Sequence, residues 1–354
     1  MTETVKLTQY SKGGGCGCKI APAVLQRILK TETTGSYQNL LVGNESSDDA
    51  AVYQVSDDLA IISTSDFFLP IVDDPIDFGK IAAANAISDV YAMGGTPLMA
   101  IAILGWPVEK IAADVAQQVL AGARAVCRQA GIPLAGGHTI DCSDPVFGLA
   151  VTGSVPLKNL KKNNTAREGD VLFLTKPIGV GILATALKRG VLQPDDYTAF
   201  IEQMTSLNKI GEELGRMPGV HAMTDVTGFG LLGHLMEMAE GSALTAELFY
   251  SSVQKMPSLP KYLQQRTIPD ATFRNWNSYS SKVEFAKAAP GEEAVNVMEA
   301  FNVLPDPQTN GGLLISVAED TVDKVKRLFA KHQLNASESI GRFVSRQEKV
   351  VAVK

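Results

Sequence analysis

A helix-length pattern set between short apolar runs, and then repeated, limits the fold of this chain more than any other feature. Residues 59–65 (LAIISTS) read as a buried strand ending at Asp66, and residues 75–93 as a long helix stopped by Gly94-Gly95. Residues 101–104 read as a strand, 107–130 as a second long helix ended by Gly131, and 134–136 and 146–155 as strands around a polar turn. Residues 22–30 form a shorter amphipathic helix with proline in its first turn. The polar, basic run 158–167 (KNLKKNNTAR) is the linker candidate. Beyond it the pattern resumes, with strands at 171–175, 222–224 and 311–317 and a final edge strand at 349–353. Helices are expected after Gly179-Val-Gly181, at 195–216 and at 320–332, whereas residues 251–291 carry the weakest pattern. Alternation of this kind predicts an α/β architecture of the α+β type. At about 150 residues per domain, 354 residues predict two domains. These are 20–157 and 158–354, preceded by a mobile glycine-rich segment, 1–19.

Charge narrows the function classes. The chain carries a net charge of -6, with 45% hydrophobic and 20% charged residues, an ordinary globular balance. No uninterrupted apolar run reaches the roughly 18 residues of a membrane span. The first residues lack a basic region followed by an apolar run, so a cytoplasmic protein without a secretory signal is expected. The 79 residues between Lys30 and Lys110 hold twelve Asp and Glu but one base, Lys80. Nucleic-acid binding needs clustered Lys and Arg, so such a partner is excluded for this stretch. The acids are open to two readings, a solvated face or a metal site built from carboxylates.

The four cysteines are too few for a disulfide framework. Cys127 lies in a helical pattern and Cys142 after a strand-like run, without partner motifs. Cys16 and Cys18 lie in Gly13-Gly-Gly-Cys-Gly-Cys-Lys19, and one intervening residue is too short for a C-x-x-C redox or zinc hairpin. A lysine beside a thiol on a glycine-rich segment favours thiolate, the reactive form. An incidental pair of cysteines on a disordered tail fits the spacing equally well. The four histidines are scattered and none pairs at i, i+4, which argues against zinc.

Gly228-Phe-Gly230-Leu-Leu-Gly233 matches the dinucleotide pattern G-x-G-x-x-G, and Glu247 stands at about the expected distance. Asp225 just before it is awkward beside a pyrophosphate unless a cation intervenes. No Walker A loop is present. Asp49 in a polar loop, Asp66 at a strand end, Asp89 within a helix and Asp225 before a glycine turn lie on separate elements. Were they to converge, they could hold Mg²⁺, which takes oxygen ligands and bridges carboxylates to phosphates. Spacing alone leaves that open.

Taken together, Leu7-Thr-Gln-Tyr-Ser11, Gly15-Cys-Gly-Cys-Lys19, Asp48-Asp-Ala-Ala-Val52, Ser63-Thr-Ser-Asp-Phe-Phe68, Asn85-Ala-Ile-Ser-Asp89, Ala135-Gly-Gly-His138, Thr224-Asp-Val-Thr-Gly228 and Asp306-Pro-Gln-Thr309 resemble the selenophosphate synthetase (selenide, water dikinase) family over essentially the whole chain. Many of these motifs also resemble ATP-using synthetases of the aminoimidazole ribonucleotide synthetase type, and Cys-Gly-Cys-Lys is the specific one. The resemblance implies two α/β domains, with N-terminal sheets pairing across a homodimer into a shared barrel. It implies that ATP, selenide and water give selenophosphate, AMP and orthophosphate, with Mg²⁺ and potassium, and that selenide itself or a selenium-delivery protein is the partner. By position, it implies Cys16 and Lys19 as catalytic residues and Asp49, Asp89 and Asp225 as Mg²⁺ ligands. ATP contacts fall on Lys19, Ser46, Ser47, Asp48, Asp66 and Asp89, and on Gly137, His138 and Thr139 from the partner subunit. Asn310 and Thr139 stand where the family commonly has serine. The alternatives are another ATP-dependent synthetase or kinase of the same superfamily, or a dinucleotide-binding oxidoreductase.

Overall fold

The computed structural model describes residues 5–11, 13–20, 22–29, 37–43, 48–287, 294–336 and 338–354. Its strands fall into two sheets. The first has β1 (Leu40–Val42), β2 (Ala51–Gln54), β3 (Leu59–Phe68), β4 (Thr96–Trp106), β5 (Leu134–Asp141) and β6 (Val146–Pro156) in the order β1-β2-β3-β6-β4-β5. All its pairs are antiparallel except β4 with β5. It is an open sheet, not a closed barrel.

One face of this sheet is covered by helices. A short α1 (Pro22–Leu29) precedes the sheet; α2 (Pro75–Ala92) and α3 (Ala113–Ala130) follow β3 and β4. Asp74 caps α2 by accepting the Asp77 amide at 2.8 Å, and Pro75 opens its first turn. From Phe78 onward α2 is buried almost all round, as expected of a helix at the centre of a larger molecule. Gly79 and Gly122 let α2 and α3 meet backbone to backbone: a Cβ at either would fall about 2 Å from the Val119 or Ile76 carbonyl oxygen. The other face of the sheet leaves Tyr53, Phe67 and Ile101 exposed.

The second sheet has β7 (Val171–Leu174), β8 (Val220–Asp225), β9 (Leu244–Leu248), β10 (Val283–Phe285), β11 (Leu313–Val317), β12 (Gly341–Ser345) and β13 (Val351–Val353). Their order is β10-β13-β9-β12-β7-β11-β8. The helices of this half are α4 (Val180–Lys188), α5 (Pro194–Thr205), α6 (Ile210–Gly215), α7 (Gly230–Gly241), α8 (Leu259–Gln264), α9 (Asp270–Tyr279), α10 (Val297–Val303) and α11 (Val322–Lys331). The molecule therefore has two mixed α/β domains.

Three expectations need correction. The helix expected from residue 107 starts at Ala113, because the Pro107 carbonyl accepts the Lys110 and Ile111 amides in a turn. The helix expected over 195–216 is broken into α5 and α6. At the break, the Ser206 carbonyl accepts Lys176 Nζ at 2.8 Å and Asn310 Nδ2 at 2.8 Å instead of a helical amide. The last strand, β13, is not an edge: β10, from the poorly patterned stretch, pairs parallel to it on the outside. Among the described residues, no helix is long and apolar enough to cross a membrane.

Candidate functional site

The C-terminal end of β8, the last turn of α2 and the far end of β3 line an open cavity of about 620 Å³ together with Lys19, Asp48 and Asp49, bringing Asp66, Asp89 and Asp225 to one wall. The four acids from separate elements do converge. Asp66 lies within β3, which runs two residues past it to Phe68. Asp89 sits on the buried face of α2 one turn after Asn85, and Asp225 ends β8.

Three of these carboxylates are each held by a hydroxyl. Thr224 Oγ1 donates to Asp49 Oδ1 at 2.7 Å, Thr64 Oγ1 to Asp89 Oδ2 at 2.5 Å, and Ser88 Oγ to Asp225 Oδ2 at 2.5 Å. Asn208 Nδ2 in turn donates to Ser88 Oγ at 2.8 Å, which commits the serine proton to Asp225. Asp48 Oδ1 accepts the Asn163 amide at 3.2 Å. The second oxygens of Asp48 and Asp49 are buried with no hydrogen-bond partner among the described residues. Buried polar atoms left in this way are costly, and a cation satisfies them.

Electrostatics at the cavity follow from that crowding. Burial, then Asp225, Asp48 and Asp89, raise the Asp49 carboxyl well above the usual range. Burial, Asp66 and Asp225 do the same to Asp89. Burial pushes Asp225 and Asp48 each up to about 6. An acidic cavity of this kind holds protons until a cation replaces them. Among the described residues, no three Asp, Glu, His or Cys side chains form a ready-made metal cage. The donor set is nonetheless all oxygen, which suits Mg²⁺, an ion held through one or two carboxylates plus waters and phosphates rather than by an all-protein cage.

The N-terminal segment reaches the cavity through Lys19, and Cys16 is buried just behind that wall. It lies in a 3₁₀ turn, Gly15–Cys18, that is docked rather than free: the Gly15 amide donates to the Leu69 carbonyl at 3.0 Å and the Cys16 amide to Thr309 Oγ1 at 2.9 Å. The Cys16 thiol is 1% exposed and donates to Asn85 Oδ1 at 3.2 Å. Asn85 Nδ2 donates to Asp66 Oδ2 at 2.6 Å, and Lys19 Nζ stands 3.5 Å from Asp66 Oδ1. Thiol, amide, carboxylate and ammonium thus form one chain. The thiolate expected from a neighbouring lysine is not what this arrangement favours. Burial raises the Cys16 thiol far above its ordinary value, and Lys19 offsets only part of that. The Asp66 carboxylate keeps the Lys19 ammonium charged.

Other expected site residues are not in the cavity. Gly137, His138 and Thr139 lie on β5, an exposed edge strand, and line neither this cavity nor the second one described below. Ser46 and Ser47 lie outside the described residues. Cys18 donates to the Gly15 carbonyl at 2.9 Å, while Cys127 is buried in α3. His234 does line the cavity, but as a packed residue: its Nε2 accepts the Thr227 amide at 3.1 Å, its ring stacks on Phe229, and burial lowers it to about 3.

The dinucleotide reading of Gly228–Gly233 fails on packing. A strand precedes it and a helix follows, but its glycines are used by the chain itself. A Cβ at Gly228 would fall 2.6 Å from the Cys16 carbonyl oxygen, and one at Gly230 2.8 Å from that of Leu304. The Thr227 amide is already bonded to His234, and Glu247 pairs with Arg342 and Lys354.

Sequence reasoning gave no role to Asn85, Thr309, Glu237 or the three hydroxyls. Asn85 stands four residues before Asp89 on one helix face, and Thr64, Ser88, Thr224 and Thr309 lie inside the stretches that carry the family resemblance, whereas Glu237 had no signal. Asn310 takes φ +50 and donates its amide to Asn85 Oδ1 at 2.7 Å, a left-handed position that Asn tolerates better than most residues.

Comparison with known proteins agrees with this architecture. Residues 47–155 match the AIR synthase related protein, N-terminal domain, and residues 167–354 the AIR synthase related protein, C-terminal domain. A selenide, water dikinase from Pseudomonas putida is 52% identical over 354 residues, covering 100% of both chains. One from Yersinia pseudotuberculosis is 52% identical over 343 residues, 96% of this chain and 95% of its own. Among solved structures, thiamine-monophosphate kinase from Stenotrophomonas maltophilia superposes with a TM-score of 0.66 at 20% identity, over 95% of this chain and 96% of that one. The hydrogenase maturation protein HypE in complex with ATP gives 0.61 at 18% identity, over 86% and 84%. Identity at this level along the whole length places the chain in the selenide, water dikinase family, within the AIR synthase-related proteins.

Proposed function

We propose that this enzyme makes selenophosphate from selenide, ATP and water, releasing AMP and orthophosphate and so supplying activated selenium for selenocysteine and selenouridine. The observation that carries the reading is the Cys16–Asn85–Asp66–Lys19 chain set against the acidic cavity. An acidic cavity repels a bare polyphosphate, so the nucleotide comes with its cation. Asp49, Asp89 and Asp225 are the residues that would hold Mg²⁺, with Asp48 beside them; the unpartnered oxygens of Asp48 and Asp49 fit that role. Bound there, Mg²⁺ would neutralise phosphate charge and polarise the reacting phosphorus. Potassium belongs to the same proposal.

The protein's own groups then have defined tasks. Lys19, kept charged by Asp66, faces the cavity and offsets charge developing on the transferred phosphoryl group. Asn85 orients the Cys16 thiol, and Cys16 positions or carries the selenium. A selenium lone pair forms the Se–P bond as the bond from the γ-phosphorus to the bridging oxygen breaks, its electron pair leaving on ADP. Water then cleaves ADP to AMP and phosphate. The docked turn excludes competing water.

The N-terminal sheet supports a homodimer. Its uncovered face exposes Tyr53, Phe67 and Ile101, and Gly137, His138 and Thr139 on the β5 edge are free to reach a second copy's nucleotide. Anaerobic incubation with ATP, Mg²⁺ and selenide tests the reaction. ³¹P NMR is expected to show AMP and a selenium-coupled phosphorus; accumulation of ADP alone, or turnover indifferent to selenide, overturns it.

A further inference from the structure

The Gly15–Cys18 turn and Lys19 form a partition with a cavity on either side, and Cys16 is buried inside it, lining neither. On one side Lys19 faces the acidic cavity. On the other, Gly13, Gly14, Gly17 and Cys18 line a second cavity of about 460 Å³. Thr309 belongs to this second wall and accepts the Cys16 amide at 2.9 Å, so the cysteine backbone is one hydrogen bond away from it.

The two sides carry opposite charge. The acidic cavity sets six carboxylates, including Glu237, against Lys19. Among the described residues, the second sets Lys188, Arg189 and Arg274 against Asp270. Two of these cations are tied to the partition: Arg274 Nη2 donates to the Gly17 carbonyl at 3.1 Å and Lys188 Nζ to the Ser11 carbonyl at 2.5 Å. An arginine has five donors and a lysine three, so both keep donors for a ligand. Arg189 donates instead to the Arg266 carbonyl at 2.8 Å, away from the turn.

We propose that this basic cavity is the vestibule through which hydrogen selenide reaches Cys16, while the nucleotide uses the acidic cavity. The inference rests on the selenophosphate reaction proposed above. Hydrogen selenide is an anion at neutral pH. The acidic cavity is taken by the nucleotide with its cation and, among the described residues, offers an anion only Lys19, whereas a cleft lined by cations concentrates it. The stereochemistry points the same way. In phosphoryl transfer the attacking and leaving atoms lie roughly in line. With the nucleotide on the carboxylates and its γ-phosphate at Lys19, an attacking atom at Cys16 stands on the side of Lys19 nearer the basic cavity.

Steady-state kinetics of the full chain, with free selenide under anaerobic conditions, test this. Arg189→Glu and Lys188→Glu are expected to raise the selenide KM by about tenfold or more, with the ATP KM unchanged. Lys188→Arg is expected to keep the wild-type selenide KM. Because Arg189 does not touch the turn, its variant separates charge from damage to the partition. Added salt is expected to raise the wild-type selenide KM toward that of Arg189→Glu. An unchanged selenide KM in both reversals, or an equal rise in the ATP KM, overturns the vestibule while wild-type selenophosphate leaves the reaction standing. No selenophosphate from the wild type overturns the reaction first and the vestibule with it.

Discussion

The Cys16 thiol and the Asn310 amide share one acceptor, Asn85 Oδ1, at 3.2 and 2.7 Å. The other end of the same side chain holds Asp66 at 2.6 Å. One amide on α2 therefore sets the cysteine, the carboxylate that pairs with Lys19, and the approach of the C-terminal domain.

Asn85→Ala is expected to cut turnover by about tenfold or more, in line with loss of a positioning group. It leaves the Asn310 amide buried and unpartnered, which costs about 1–3 kcal/mol of stability. Alkylation of Cys16 by iodoacetamide, followed by mass spectrometry, should become faster because the thiol loses its acceptor. Wild-type turnover with unchanged alkylation would remove the role.

Cys16→Ser and Asp225→Asn should fail differently. The serine variant is expected to bind Mg²⁺-nucleotide normally by calorimetry but to make no selenophosphate. The asparagine variant is expected to lose metal-dependent nucleotide binding itself. Full activity in either refutes that residue's task.

Metal-dependent nucleotide binding is expected to tighten as pH rises through about 6, where burial places the Asp225 and Asp48 carboxyls. Below that value these groups bind protons that an ion must displace. Ser88→Ala removes the hydroxyl that holds Asp225 down, so its binding curve should move to higher pH. Calorimetry across pH 5 to 8 on both proteins checks the shift; coincident curves would contradict it.

Lys176 makes its own stability prediction. Burial lowers it from 10.5 to about 7, with Nζ donating to the Ser206 and Asn310 carbonyls. Between those values the unfolded chain binds a proton that the folded chain lacks. Its contribution therefore makes stability rise with pH from about 7 toward 10.5, and the penalty is fully present below 7. Lys176→Met should flatten that part of the stability curve relative to wild type. Denaturation midpoints measured on both proteins over that range test it.

Mixing two inactive variants tests the shared site. Asp225→Asn spoils a cavity and His138→Ala spoils the β5 edge offered to the other copy. Random reassociation makes half the dimers mixed, with one intact site each, so about one quarter of wild-type activity is expected. No recovery, with mixed dimers verified by mass spectrometry, would count against a contribution from the partner.

The alternation of strands and helices and the identity of the four acids were legible along the chain, because apolar periodicity and residue type are local properties. Strand 59–65, the helix from residue 75 and the acids Asp49, Asp66, Asp89 and Asp225 could all be read that way. The break at Ser206 and the outer strand β10 could not, since long-range partners decide them: Lys176 and Asn310 for the break, and β13 for the strand. Three properties of the site belong to tertiary structure alone. Hydroxyls far apart in sequence hold Asp49, Asp89 and Asp225 in one cavity. Burial outweighs the neighbouring Lys19 at the Cys16 thiol, a balance that depends on solvent access and not on sequence proximity. The glycines of 228–233 serve the close approach of Cys16 and Leu304, so a pattern that reads as a nucleotide loop becomes a packing surface.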